Sequence, residues 1–92
     1  MNGAPLERKV FLANPNGLHL RPSAAFVQLA ERFQSSVTVT VDGRSADGKS
    51  LWALLGLAAM PGSELTLVAD GPDASQALDA LSALLATPPA DN

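Results

Sequence analysis

Residues 36–47 read SVTVTVDGRSAD, and the first half of this stretch alternates without a break. Val37, Val39 and Val41 share one face of an extended chain, while Thr38 and Thr40 share the other. That is the pattern of a strand buried on one side only, as in an antiparallel sheet with a solvated face. Asp42-Gly43 then supplies a strong two-residue turn, because both central positions of a type I′ turn need positive φ. A short antiparallel strand over Arg44–Asp47 should complete the hairpin.

Segments on either side supply what such a sheet needs on its apolar face. ERKVFLA at 7–13 predicts a first strand, with Val10 and Leu12 facing one way and Phe11 and Ala13 the other, and NPNG at 14–17 breaks it. From about residue 20 to 33, Phe26, Leu29, Ala30 and Phe33 recur at three- and four-residue steps, the stripe of an amphipathic helix. SLWALLGLAAM at 50–60 predicts a second helix, with Ser50 as its N-cap and Pro61-Gly62 as its stop. SELTLVAD at 63–70 alternates again, and Gly71-Pro72 turns the chain. Asp73 and Gln76 resemble a capping box for a third helix, whose inward stripe is Ala74, Ala77, Leu78, Leu81 and Leu85. The order is βαββαβα. It predicts an α+β fold, a two-layer open-faced sandwich in which three helices cover one face of a four-stranded antiparallel sheet. Residues 1–86 make the domain, and TPPADN at 87–92 is too polar and proline-rich to pack, giving a flexible C-terminal tail.

Composition narrows the chemistry. A chain of 92 residues buries roughly 60–65% of its unfolded surface and folds without staples. It has no cysteine and a single histidine, so disulfides and thiolate chemistry are excluded and no metal site is expected. Six Lys and Arg against nine Asp and Glu leave a formal charge of −3, a poor match for nucleic acid. No apolar run has the length of a membrane span, and the first residues lack the apolar core of a signal peptide; a soluble, cytoplasmic protein is expected.

The one histidine stands in NPNGLHLRPSA, residues 14–24, two positions before Arg21 and at the start of the first predicted helix. Backbone N–H groups in a first helical turn have no intrahelical partner and favour negative charge beside them. Arg21 adds a planar fork of donors suited to phosphate oxygens. Pro22 costs no hydrogen bond in the first turn, although it discourages helical geometry at Arg21, so either His19 or Arg21 can be the formal cap. Gly17 permits a tight entry turn. An imidazole nitrogen there can act as a nucleophile toward a phosphoryl group. With no second histidine to orient water, transfer is favoured over hydrolysis. The plainer alternative is an ordinary helix cap or a solvated turn residue.

A rival motif overlaps the hairpin. GRSADGKS at 43–50 satisfies the nucleotide-binding P-loop pattern G-x-x-x-x-G-K-[ST], and LTLVAD at 65–70 imitates the aspartate-tipped strand that assists magnesium. A P-loop, however, follows a buried parallel strand, whereas VTVTV alternates, and Asp42-Gly43 starts a turn where that loop should open. Nucleotide binding is therefore not expected.

GLHLRPSA at 17–24, followed by the first helix and then DGKSLWALLGLAAMPGSELTLVADG at 47–71, resembles the HPr family of histidine-containing phosphocarriers. The likeness runs from about residue 7 to 86. It implies a phosphocarrier, not an enzyme, that needs no cofactor or metal. In that family enzyme I passes phosphate from phosphoenolpyruvate to Nδ1 of a histidine, which hands it to an enzyme IIA domain in sugar uptake or regulation. The resemblance gives the acceptor role to His19 and phosphate stabilisation to Arg21. It makes Ser50 a candidate for regulatory phosphorylation by an HPr kinase/phosphorylase. Leu20, Ala24, Leu51, Trp52 and Leu55 occupy the positions of the family's docking patch, Trp52 having core packing as its alternative. Gln28, Glu31 and Ala53 stand where family members often carry lysines. A monomer is implied. A non-catalytic interaction module of the same fold, with an idle histidine, is the main alternative function.

Overall fold

The computed structural model describes residues 4–88. Its elements follow the expected order: β1 (Leu6–Phe11), α1 (Leu20–Ala30), β2 (Ser36–Val41), β3 (Arg44–Asp47), α2 (Leu51–Leu57), β4 (Glu64–Asp70) and α3 (Ala74–Ala86). The strands form one antiparallel sheet in the order β1-β4-β2-β3.

The hairpin forms as its sequence dictates. Asp42 and Gly43 take φ of 51° and 78°, and Val41 pairs with Arg44. Val37, Val39 and Val41 of β2 lie under the helices beside Leu65, Leu67 and Ala69 of β4. Thr38 and Thr40 face the other way, opposite Val68 and Thr66, on the half-exposed face. All three helices lie over the apolar face. The α3 stripe of Ala74, Ala77, Leu78, Leu81 and Leu85 is buried as expected.

Several boundaries differ from the sequence reading, each for a tertiary reason. β1 ends at Phe11, because Leu12 leaves the ladder to exchange backbone bonds with Ser63 and Gly62. α1 stops at Ala30 rather than near residue 33, and Phe33 packs half-buried against the core from the following turn. α2 stops at Leu57, three residues before Met60, with Ala58 in the left-handed region at φ 51° and ψ 41°. Asp73 is the α3 N-cap by position but makes no side-chain cap bond, so the capping box with Gln76 does not form. Its carboxylate instead accepts from the Gln34 and Ser35 backbone N–H groups, both at 2.9 Å, and from Ser35 Oγ at 2.6 Å. The proposed tail begins with Thr87 and Pro88, both exposed, and residues 89–92 lie outside the described residues.

The P-loop pattern falls in the hairpin, in keeping with its rejection from the sequence. Gly43 belongs to the hairpin turn, Arg44–Asp47 is a strand, and Lys49 Nζ donates to the Phe33 carbonyl at 2.8 Å. Gly48 packs so tightly that an added Cβ would stand 2.7 Å from a Val37 methyl group. These residues form a hairpin and its exit, with no open phosphate cradle.

Candidate functional site

The structure resolves which residue caps α1. His19 is the N-cap, extended at φ −93° and ψ −163°, and its carbonyl accepts from Ser23 N–H at 3.0 Å. Arg21 is helical despite the proline after it. Pro22 therefore falls in the first turn, where a missing N–H costs nothing.

His19 caps with its backbone only; its side chain makes no cap bond. The ring is half-buried and Arg21 is exposed. Among the described residues, the backbone N–H groups of His19, Leu20 and Arg21 have no protein acceptor. They lie at the start of an eleven-residue helix, the positive end, where negative charge is stabilised by about 0.3–1 kcal/mol. His19 is thus a cap through its backbone, with its ring left out of the capping.

Two neighbouring loops hold this end in place. Leu18 N–H donates to the Ala59 carbonyl at 3.0 Å, and Gly17 N–H to the Asn14 carbonyl at 3.0 Å. Gly17 has φ of +76°, and an added Cβ would lie 2.5 Å from the Ala59 oxygen. The glycine is thus required by the approach of the residue 59 loop as well as by the turn. Ser23, wholly buried, turns its hydroxyl back to the Leu18 carbonyl at 3.3 Å. Sequence reading missed both contacts; the serine at an inward helical position was the available signal.

The start of α1 therefore lies beside the end of α2. Conversely, Lys49 at the start of α2 reaches Phe33, just past the end of α1. The two helices pack against each other in opposite directions. Ser50 stands at the far end of α2 from His19, as an N-cap whose Oγ accepts from Ala53 N–H at 3.3 Å.

The remaining candidates lie along these two helices. Leu20 is 56% exposed and Trp52 79% exposed, while Ala24, Leu51 and Leu55 are half-buried. Core packing is thereby excluded for Trp52. Met60, 67% exposed, adjoins Ala59 and was not singled out from the sequence; its place beside His19 arises only from the Leu18–Ala59 bond. The Ser35 hydroxyl, followed by the Gln34 N–H, holds the Asp73 carboxyl below its ordinary value.

Comparison with known proteins gives one consistent result. The family described as "PTS HPr component phosphorylation site" matches residues 6–87. Phosphocarrier protein HPr of Cupriavidus necator is 47% identical over 81 residues, covering 88% of this chain and 91% of that protein. HPr of Haemophilus influenzae is 51% identical over 72 residues, covering 78% and 85%. The crystal structure of HPr from Bacillus anthracis str. Ames superposes with a TM-score of 0.86 at 37% identity, covering 90% of this chain and 99% of that one.

Proposed function

The chain belongs to the HPr family of the phosphotransferase system, and on that premise we propose that His19 is its phosphoryl acceptor. Members of this family are carriers, not catalysts. The donor is phosphorylated enzyme I, charged from phosphoenolpyruvate, and the recipient is an enzyme IIA domain. The lone pair of Nδ1 attacks phosphorus, forming an N–P bond as the bond from phosphorus to the donor breaks. Return transfer reverses the step onto the next nucleophile. Arg21 grips the phosphoryl oxygens through its guanidinium.

The observation that carries this reading is the imidazole itself, half-buried and free of any cap bond beside three unpaired N–H groups. The magnitudes suit a carrier. A helix end contributes about 0.3–1 kcal/mol and a charge-assisted bond about 1.5–3, together roughly one to three powers of ten in affinity. That holds a phosphoryl group without trapping it.

The protein acts as a cytoplasmic monomer on this reading. The hydrogen bond that Ser50 makes as N-cap accounts for a serine there; its second role, as substrate of an HPr kinase/phosphorylase, is tested by incubation with that enzyme and ATP. The main test uses phosphoenolpyruvate and enzyme I. Acid-labile, alkali-stable phosphate should appear on the wild type and be absent from His19→Ala. No incorporation, with enzyme I competent on another carrier, would instead identify a non-catalytic interaction module.

A further inference from the structure

The loop that meets Leu18, just before His19, hangs from a weak helix end. α2 is seven residues long and has no basic residue in its last turn to offset the negative end of the helix dipole. Gly56 lies in that turn with nothing within 4 Å of where a Cβ would stand, so its missing side chain relieves no clash and only lowers helix propensity. Ala58, the next residue after the helix, is held in the left-handed region. A helix this short depends on tertiary contacts to keep its last turn.

Arg44 supplies one. From the first position of β3 its guanidinium donates to the Leu57 carbonyl at 2.6 Å, across 13 positions of sequence. Leu57 is the last residue of α2, where a carbonyl has no donor inside the helix. The bond sets a cation against the negative helix end, which strengthens it. The far side of the loop is pinned separately: Leu12 N–H donates to the Ser63 carbonyl at 2.9 Å, and the Leu12 carbonyl accepts from Gly62 N–H at 2.8 Å. Between these two anchors stands Ala59, whose carbonyl receives Leu18 N–H. The Leu18 carbonyl in turn accepts from Ser23 Oγ. Both backbone polar groups of the residue before His19 are thereby held.

We propose that Arg44 is a positioning residue for His19: by holding the Leu57 carbonyl it keeps Ala59 opposite Leu18, and so fixes where the imidazole stands at the start of α1. The proposal rests on the acceptor role given to His19 above and adds a residue that acts on that ring through the backbone. Its path is continuous, from β3 to the end of α2, then through the residue 59 loop to Leu18. Displacing a reacting atom slows the transfer step itself. Loss of Arg44 is therefore felt in kcat, whereas loss of a docking contact is felt in KM.

Arg44→Met keeps an aliphatic stem and removes the donors, while Arg44→Lys keeps a cationic donor, and a single carbonyl requires only one. The full-length wild type and variants are compared as substrates of enzyme I with phosphoenolpyruvate, at a temperature where circular dichroism shows all of them folded. Arg44→Met should lower kcat by about fivefold or more with KM within about twofold, and its Leu18 amide should exchange with solvent about fivefold faster or more. Arg44→Lys should bring kcat back to within about twofold of the wild type. Arg8→Ala, which breaks the ion pair to Asp79 between β1 and α3, controls for general loss of stability and should transfer like the wild type. An Arg44→Met variant that transfers like the wild type overturns the proposal, as does a loss confined to KM or an equal loss in Arg8→Ala; each of these leaves the carrier reading standing. Failure of the wild type to accept phosphate from an enzyme I competent on another carrier overturns the carrier reading and this proposal with it.

Discussion

Ala58 has a conformation that its side chain disfavours. At φ 51° and ψ 41° its Cβ crowds the backbone, a cost of about 1–2 kcal/mol that glycine does not bear. Nothing in LLGLAAM announces this, since Ala58, Ala59 and Met60 are all good helix formers. The helix ends because the Ala59 carbonyl must meet Leu18 N–H, and Gly17 has no Cβ to block that approach. Tertiary demand overrides local propensity at this residue. Ala58→Gly should therefore raise the unfolding free energy by about 1 kcal/mol, read as a higher urea midpoint with an unchanged m-value. His19 was legible from the sequence for the opposite reason. Spacing beside Arg21 and Pro22 put it at a helix start, while the acceptor role proposed for it came from the family resemblance and not from that spacing.

Between elements, the most informative contact is the one that sequence reading assigned elsewhere. Asp73 has the spacing of a capping box, yet its carboxylate ties the start of α3 to the turn between α1 and β2. Gly71 allows the approach, since a Cβ there would come within 2.6 Å of Ser35. Ser35 and Asp73 are 38 positions apart, and no local pattern predicts such a pairing. Because these bonds favour the ionised form, the folded-state pKa lies below the ordinary 3.8. The stabilisation is therefore complete above that value and drains away as pH falls through the lower folded-state value. Asp73→Asn should have a lower urea midpoint at pH 7 than the wild type. Its midpoint should also fall less steeply between about pH 4 and 2.5, because this linked proton is gone. Equal slopes for the two proteins would dissociate the carboxylate from acid unfolding.

For the molecule as a whole, the class of fold was legible and its strand order was not. Alternation in VTVTV and LTLVA specifies a sheet with one dry face, and two amphipathic stripes and a third helix read from propensity specify its cover. Pairing of β1 with β4 leaves no such mark, because those strands come together across more than fifty residues of intervening chain. The order puts β4 inside the sheet, and Leu67 there is fully buried with Arg8 and Val39 as its cross-strand partners. Leu67→Ala should cost about 2–5 kcal/mol, measured by chemical denaturation. A loss below about 1 kcal/mol would mean that the sheet centre can collapse around the gap.

The opposed directions of α1 and α2 carry a further consequence. His19 and Ser50 are held apart by the length of a seven-residue helix, about 10 Å at 1.5 Å per residue. A visiting protein must therefore cover the whole length of α2 to touch both residues at once.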